Sequence, residues 1–135
     1  PFQDGSFEVG ILDPPFLQGG ARSAHESAYS VFGGTAERLM LLYTDGIREL
    51  HRVCRTGIII KCQDSVSSGR FKPYRSFIEG WVAKTYGDWP RDVAVIVSPS
   101  PPMEWPGWKT QAHLRKKQSY LIAYRWGFNH ARAPL

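Results

Sequence analysis

The sequence predicts an α/β fold in which a mostly parallel sheet carries an antiparallel pair of strands at one edge. Short apolar runs bounded by breakers alternate with longer segments whose apolar residues recur every three or four positions. The first pattern is typical of buried strands and the second of amphipathic helices. Their order is strand, helix, strand, helix, strand, long loop, strand. This order favours right-handed crossovers and one domain over all 135 residues.

The first strand and the first helix flank a long polar loop. The strand Phe7–Leu12 stops at Asp13 and two prolines, which can neither extend a helix nor donate to a ladder. Residues 17–34 are rich in glycine and serine and are predicted as loop. A helix is predicted over residues 36–55, with Thr35 as its N-cap and Gly57 as the left-handed residue that ends it.

The second half of the chain carries three more strands and one helix. Residues 57–62 are apolar up to Lys61, which is typical of a buried strand. The Lys61 side chain is expected to face a pocket or to reach out to the edge of the sheet. The remaining predicted segments are a polar loop (63–74), a helix (76–86), a strand (Asp92–Val97), a proline-rich loop (98–118) and a strand (119–126). Since no helix joins the last two strands, we expect them to be antiparallel.

The composition excludes several classes of protein. The chain has two cysteines, Cys54 in the predicted helix and Cys62 in a strand, which is typical of core thiols in a reducing compartment. No cysteine–histidine cluster has the spacing of a metal site. No apolar run approaches the length of a membrane span, and the sequence shows no signal peptide. We expect a cytoplasmic, nucleoid or nuclear protein that is not secreted. The net charge of +5 suits a nucleic-acid partner or a merely solvated basic surface.

The tetrapeptide Asp13-Pro14-Pro15-Phe16 lies where a strand of the predicted sheet ends, which is where open α/β sheets bind ligands. An exocyclic amino group on a base is a poor nucleophile because its lone pair is delocalised into the ring. The Asp13 carboxylate and the Pro14 carbonyl would each accept one of its N–H bonds and favour a tetrahedral nitrogen. Rigid prolines would preorganise both acceptors, and Phe16 would stack on a flipped base.

Three segments around this motif resemble the SAM-dependent amino-methyltransferases with an Asp/Asn/Ser-Pro-Pro-aromatic motif. Residues 1–9 are similar to the stretch before the motif, and residues 49–61 to a conserved helix and strand of the family, with Cys54 and Thr56 in place of leucine and proline. Residues 113–121 are similar to its last hairpin. The resemblance covers nearly the whole chain and implies a Rossmann-like methyltransferase fold that uses S-adenosyl-L-methionine (SAM).

The resemblance also implies roles for individual residues. Asp13, Pro14, Pro15 and Phe16 would be catalytic, and Phe2 and Asp13 would contact the cofactor. Aspartate at the first motif position suits adenine N6 or guanine N2, whereas serine is usual for cytosine N4 and asparagine for glutamine. The expected activity is therefore methylation of adenine N6 in DNA, with an RNA adenine or guanine methyltransferase and a non-catalytic nucleic-acid-binding subunit as alternatives.

The family's glycine-rich F-x-G-x-G loop and the acidic residue that holds the ribose are missing from the chain. The predicted strands begin at the family's fourth, so the chain is expected to be the C-terminal half of the catalytic domain. The first half would lie upstream or be supplied by a homo- or hetero-oligomeric partner. Without it, we expect the sheet to expose an edge and a face that need covering.

Basic and aromatic residues interleave in two predicted loops, a pattern that suits phosphate contacts and base stacking. The same residues also suit a solubilising loop with aromatic rings packed beneath it, and the sequence does not choose between these interpretations. The candidate nucleic-acid-binding residues are Arg70, Lys72, Trp105, Trp108, Lys109, Arg115, Lys116 and Lys117.

Overall fold

The computed structural model describes residues 2–14, 36–67, 70–97 and 118–126, which form six strands and two helices. The strands are β1 (Phe7–Leu12), β2 (Cys54–Cys62), β3 (Ser65–Ser67), β4 (Arg70–Lys72), β5 (Asp92–Val97) and β6 (Gln118–Arg125). The helices are α1 (Ala36–Val53) and α2 (Tyr74–Tyr86). The predicted α/β class is confirmed. The predicted loop 17–34, Thr35 and the connection between β5 and β6 lie outside the described residues.

The main sheet has four strands in the order β1-β2-β6-β5. β1 and β2 are parallel neighbours, with Leu12 opposite Ile60. β6 is antiparallel to both β2 and β5, so the predicted antiparallel pair at one edge is confirmed. β6 also joins this pair to the parallel part of the sheet. The amino-terminal end of β6 and the carboxyl ends of β1, β2 and β5 therefore lie along one edge, which we call the carboxyl edge.

Helical spacing of apolar residues decides what each helix buries. α1 buries Leu39, Tyr43 and Ile47, and α2 buries Ile78 and Val82. These positions recur every four residues and therefore lie on one side of each helix. α2 ends at Gly87, whose left-handed conformation (φ 70°) lets its N–H donate to the Ala83 carbonyl at 3.0 Å.

Both helices pack on the same face of the main sheet. Tyr43 of α1 and Tyr74 of α2 have ring centroids 6.2 Å apart, and His51 of α1 stacks on Tyr86 of α2 at 4.0 Å. This helix-covered face is built from alternate residues of the two central strands: Ile58, Ile60, Cys62, Tyr120, Ile122 and Tyr124, which are at most 7% exposed. The alternation predicted for the last strand is confirmed. Among the described residues, neither helix combines the length and apolar character needed to cross a membrane.

The opposite face of the sheet, which we call the open face, has apolar residues that the described residues leave exposed. Side chains alternate between the faces of a strand. Val9 and Ile11 of β1 therefore point away from the helices, and they are 52% and 69% exposed. The exposed edge and face expected from the sequence are thus present in the described part of the chain.

Three details differ from the sequence prediction. Cys54 does not lie in the helix but begins β2, where it pairs with Phe7 directly after α1 ends. Gly57 does not end the helix in a left-handed conformation, because it lies inside β2 opposite Arg125. The segment predicted as a polar loop contains the antiparallel pair β3 and β4, with Val66 opposite Phe71.

Candidate functional site

Asp13 lies at the carboxyl edge beside Lys61, and the register of the sheet explains why. Leu12 pairs with Ile60 in the parallel ladder, so the next residues of the two strands are also neighbours. Their side chains project from the same face, and Lys61 Nζ lies 2.9 Å from Asp13 Oδ2. The Lys61 and Asp13 side chains are 31% and 49% exposed. This ion pair leaves Asp13 Oδ1 able to accept a further hydrogen bond.

Lys61 is itself held by a buried tyrosine on the helix-covered face. Tyr43 of α1 is fully buried, and its hydroxyl donates to the Lys61 carbonyl at 3.2 Å. Burial raises the pKa of Tyr43, and the neighbouring Cys62 and Asp13 raise it further. The hydroxyl therefore keeps its proton and remains a donor. A contact from the core thus fixes the end of β2 from which Lys61 reaches Asp13.

The other residues of the tetrapeptide are only partly described. Pro14 is buried at the end of β1. A buried proline restrains the backbone that carries Asp13, because its ring limits rotation about φ. Pro15 and Phe16 lie outside the described residues, so their predicted roles stay predictions.

The structure does not bring Phe2 close to Asp13. Phe2 packs edge-to-face on Phe7, the first residue of β1, with ring centroids 5.1 Å apart. The guanidinium of Arg52, at the end of α1, holds the Phe2 carbonyl at 2.9 Å and Asp4 at 2.5 Å. Phe2 is therefore tied to the amino end of β1, whereas Asp13 follows its carboxyl end. The two residues predicted to contact the cofactor lie at opposite ends of this strand.

Two of the predicted nucleic-acid-binding residues lie on the short hairpin that follows β2. Arg70 and Lys72 belong to β4, which is paired with β3 just beyond the carboxyl edge. Phe71, between them, is 52% exposed. The hairpin thus carries two cations and an aromatic ring near the carboxyl edge, where Asp13 also lies. Six other candidates lie outside the described residues: Trp105, Trp108, Lys109, Arg115, Lys116 and Lys117.

Polar contacts anchor the start of α2 next to this hairpin. The buried Asp64 accepts a hydrogen bond from the backbone N–H of Arg75 at 3.1 Å, which satisfies a donor in the first turn of the helix. The Arg75 guanidinium bonds Glu79 at 2.8 Å and lies over the Tyr120 ring at 5.0 Å from its centroid. These contacts therefore link three elements next to the hairpin: the end of β2, the start of β6 and the start of α2.

Sequence reasoning left the orientation of Lys61 open and missed Tyr43. The structure shows that Lys61 points to the open face and contacts Asp13. Its position opposite Leu121, rather than a motif, sets this orientation. Tyr43 was predicted only as an apolar residue of the helix. The sequence gives one signal for its hydrogen bond to Lys61, which is a hydroxyl at a core position. Buried hydroxyls require a hydrogen-bond partner.

Among residues 2–14, 36–67, 70–97 and 118–126, no group of three or more histidine, cysteine or carboxylate side chains is arranged to bind a metal ion. The described part of the site consists of a carboxylate, an ammonium group and backbone carbonyls. The carboxylate and the carbonyls accept hydrogen bonds from donors such as amino groups, whereas the ammonium group only donates.

No protein-family model and no curated protein matches the sequence. The structure is similar to the PvuII DNA methyltransferase (cytosine-N4-specific), with a TM-score of 0.63 and 11% identity over 92% of this chain. It is also similar to a Thermus thermophilus protein that is assigned as a DNA modification methylase and was solved with S-adenosyl-L-methionine. The TM-score is 0.52, with 19% identity over 99% of this chain.

The chain has a partial Rossmann-like methyltransferase fold. It spans 44% of the PvuII chain and 53% of the Thermus chain, so it corresponds to about half of each of these two structures. The described strands of the main sheet are one parallel pair, β1 and β2, followed by β6 and β5, which are antiparallel to each other. The candidate site lies where the parallel pair ends.

Proposed function

We propose that this chain forms the target-base half of a SAM-dependent methyltransferase that acts on the exocyclic amino group of a nucleic-acid base. The observation that carries the proposal is the state of Asp13 at the carboxyl edge. One oxygen of its carboxylate is held by Lys61 at 2.9 Å, the side chain is half exposed, and the buried Pro14 follows it. This is the arrangement that an acceptor for an amino group requires.

In the proposed reaction, Asp13 Oδ1 accepts one N–H of the target amino group and the Pro14 carbonyl accepts the other. Two fixed acceptors favour a tetrahedral nitrogen and make its lone pair available. The negative charge of Asp13 also stabilises the positive charge that develops on the nitrogen as the new N–C bond forms. When bound, SAM would supply the methyl group from its positively charged sulfur: the S–CH3 bond breaks as the N–C bond forms, the sulfur leaves as a neutral thioether, and the nitrogen then loses one proton to solvent. Phe16 is proposed to stack on the flipped base.

The residues present fit only the reacting end of SAM. Asp13 would offer an anionic group to the positively charged end of SAM, but the sequence has no F-x-G-x-G loop to hold the cofactor. We therefore propose that a complementary segment, on the same or another polypeptide, supplies the cofactor site. Two observations support this: the chain spans about half of the matched structures, and Val9 and Ile11 are exposed on the open face. Phe2, at the other end of β1, remains a predicted contact.

DNA is the proposed nucleic acid, and adenine N6 is the proposed target. The support for DNA is that the names of both matched structures refer to DNA methylation. The PvuII protein is cytosine-N4-specific, but aspartate at the first motif position suits adenine N6 in the family that the sequence resembles. RNA adenine and guanine N2 are the alternatives. Arg70 and Lys72 are proposed to contact phosphates close to the flipped base.

A second candidate function is a non-catalytic nucleic-acid-binding subunit with this fold. The absence of a cofactor loop from the sequence favours it. Titration of the 135-residue chain with SAM tests whether this chain alone holds the cofactor. Tight binding by this chain alone would contradict our proposal that a complementary segment holds the cofactor.

The experiment that tests the proposed function measures transfer of a labelled methyl group from SAM to DNA and to tRNA. The protein is purified together with its natively associated chains, and the methylated nucleoside is identified by mass spectrometry. We expect N6-methyladenine in DNA. N4-methylcytosine or N2-methylguanine would correct the target base, and transfer to tRNA alone would correct the nucleic acid. If no substrate is methylated but DNA is bound, the binding-subunit function is supported.

A further inference from the structure

The contact between Lys61 and Asp13 has no evident structural purpose. The pair is partly exposed, with 31% and 49% of the two side chains accessible. Exposed ion pairs contribute little to stability, because water solvates both charges well and the long lysine side chain loses freedom. β1 and β2 are already joined by a continuous parallel ladder up to Leu12 and Ile60. The pair is therefore not needed to align these strands.

The contact does determine how the Asp13 carboxylate is presented. An exposed aspartate at the end of a strand rotates about χ1 and χ2 unless it is restrained. The Lys61 ammonium engages Oδ2 and thereby limits that rotation. The other oxygen, Oδ1, is then left for a substrate donor. Tyr43, which is buried in the core, holds the Lys61 backbone through a hydrogen bond. The restraint on the Asp13 carboxylate is therefore anchored in the protein core.

We propose that Lys61 is a positioning residue, which orients the Asp13 carboxylate so that Oδ1 accepts the N–H of the target amino group. This inference rests on the proposed function, in which Asp13 binds that amino group. Lys61 itself acts through Asp13 and contacts neither the base nor the phosphates.

The test is a double-mutant cycle in the methyl-transfer reaction, with the protein in its native assembly. We expect Lys61→Met to lower kcat roughly 10- to 100-fold, because a misplaced catalytic group loses about that much. The KM for DNA should change less than about threefold. Lys61→Arg, which keeps the charge and a donor, should restore most of the loss. In an Asp13→Asn background, Lys61→Met should cost no more than about twofold, because its partner is already altered.

Arg55→Met is the matched control. Arg55 also lies on β2 and makes an ion pair across to β1, with Glu8, but at the far end of the strand from Asp13. We expect its activity to stay within about twofold of wild type. Equal losses from both variants would show a general effect of breaking a cross-strand pair and would overturn the proposal. So would a rise in the KM for DNA at unchanged kcat after Lys61→Met, since that marks a phosphate contact.

A second readout separates this proposal from the proposed function. NMR couplings between the α and β protons of Asp13 report its χ1 rotamer without any turnover. We expect one rotamer in the wild-type protein and rotamer averaging in Lys61→Met, with Arg55→Met unchanged. An unaltered Asp13 rotamer in Lys61→Met would overturn the positioning role even if the protein is an active methyltransferase. Rotamer averaging in a protein without methyl-transfer activity would leave the geometry supported and the proposed function refuted.

Discussion

Gly57 of β2 faces the backbone carbonyl of Tyr124 on β6 so closely that a side chain at position 57 would overlap it. The obstacle is backbone, so it cannot move aside as a flexible side chain would. Gly57→Ala should therefore force β2 away from β6 in the centre of the sheet. We expect the free energy of unfolding to fall by about 2–3 kcal/mol, as for an overpacked core position, measured by urea denaturation of the protein in its native assembly.

Gly80→Ala provides the control for this substitution. Gly80 is an exposed residue inside α2, and a Cβ added there meets no atom of the described residues within 4 Å. Because alanine favours helix more than glycine does, this change should raise the stability by about 0.5–1 kcal/mol. A Gly57→Ala protein as stable as the Gly80→Ala protein would contradict the register of β2 and β6.

Cys62 should make the stability fall at alkaline pH. Burial, with the nearby carboxylates of Asp64 and Glu79, raises the pKa of this thiol to about 12. The unfolded thiol loses its proton near pH 9, so between these values the folded state binds more protons than the unfolded state. The contribution is therefore complete below pH 9 and is lost as the pH rises towards 12.

The measurement compares wild type with Cys62→Ala, each in its native assembly, by urea denaturation between pH 9 and 10. Buried tyrosines, whose ordinary pKa is 10.0, contribute equally to both proteins and cancel in the difference. We expect the wild-type stability to fall more steeply, by up to about 1.4 kcal/mol per pH unit, and the variant to lack this component. Rapid alkylation of Cys62 in the native protein at pH 8 would contradict its burial.

Arg70 and Lys72 should set part of the salt dependence of DNA binding. Each phosphate contact contributes a slope of about −0.9 to log K against log salt concentration, through release of counterions. Replacement of both residues by glutamine should therefore weaken binding and reduce the magnitude of the slope by about 1–2. Fluorescence anisotropy with a labelled duplex at several salt concentrations measures both effects.

The matched control removes two charges at the other end of the sheet. Lys84 lies in the last turn of α2, and Arg91 donates its N–H to the Ala123 carbonyl beside the start of β5. A double glutamine variant at these two exposed positions has the same net charge as the hairpin variant. Equal losses of affinity in both would show that net charge, and not the hairpin, governs binding.

Ile11 should be required for association with the proposed complementary segment. It is 69% exposed on the open face, in the edge strand β1, so a charge there would oppose burial against a partner. We expect Ile11→Asp to abolish co-purification of the associated chain or, where the segment is on the same polypeptide, to lower the stability strongly. Leu41→Asp, at a residue that is 61% exposed on α1, should change neither.

The isolated wild-type chain gives a further check. We expect it to bind a hydrophobic dye and to unfold with poor cooperativity, because its open face lacks a cover. A monomeric chain that unfolds in one cooperative transition without dye binding would contradict the complementary segment.

The sequence predicted some elements to the residue, and the reasons are local. β1 stops at Asp13 and two prolines, and β5 is bounded by charged residues and a serine–proline stretch, so both strands have the predicted bounds. The junction between α1 and β2 was missed because no breaker separates them: the helix ends at Val53 and the strand begins at Cys54. β3 and β4 have three residues each, too few for an alternating pattern to show.

The candidate site was predicted as a motif but not as an arrangement. Asp13 and Pro14 were identified because their residue types and their order indicate acceptors for an amino group. Asp13 and Lys61 are 48 positions apart in the chain, and their contact depends on which residues of two distant strands pair, which the pattern within either strand alone does not give. By contrast, the separation of Phe2 from Asp13 follows from the predicted strand itself, because the two residues flank Phe7–Leu12.

Methyl transfer by Asp13→Ala and Asp13→Asn tests most directly whether the Asp13 carboxylate binds the target amino group. We expect Asp13→Ala to lower kcat at least roughly 100-fold, as loss of a preorganised charge-stabilising group does. SAM binding and DNA affinity should stay within about threefold of wild type, because cofactor and phosphates are held mainly elsewhere. Asp13→Asn should retain more activity than alanine, since its carbonyl still accepts a hydrogen bond. Full activity of Asp13→Ala would contradict the account.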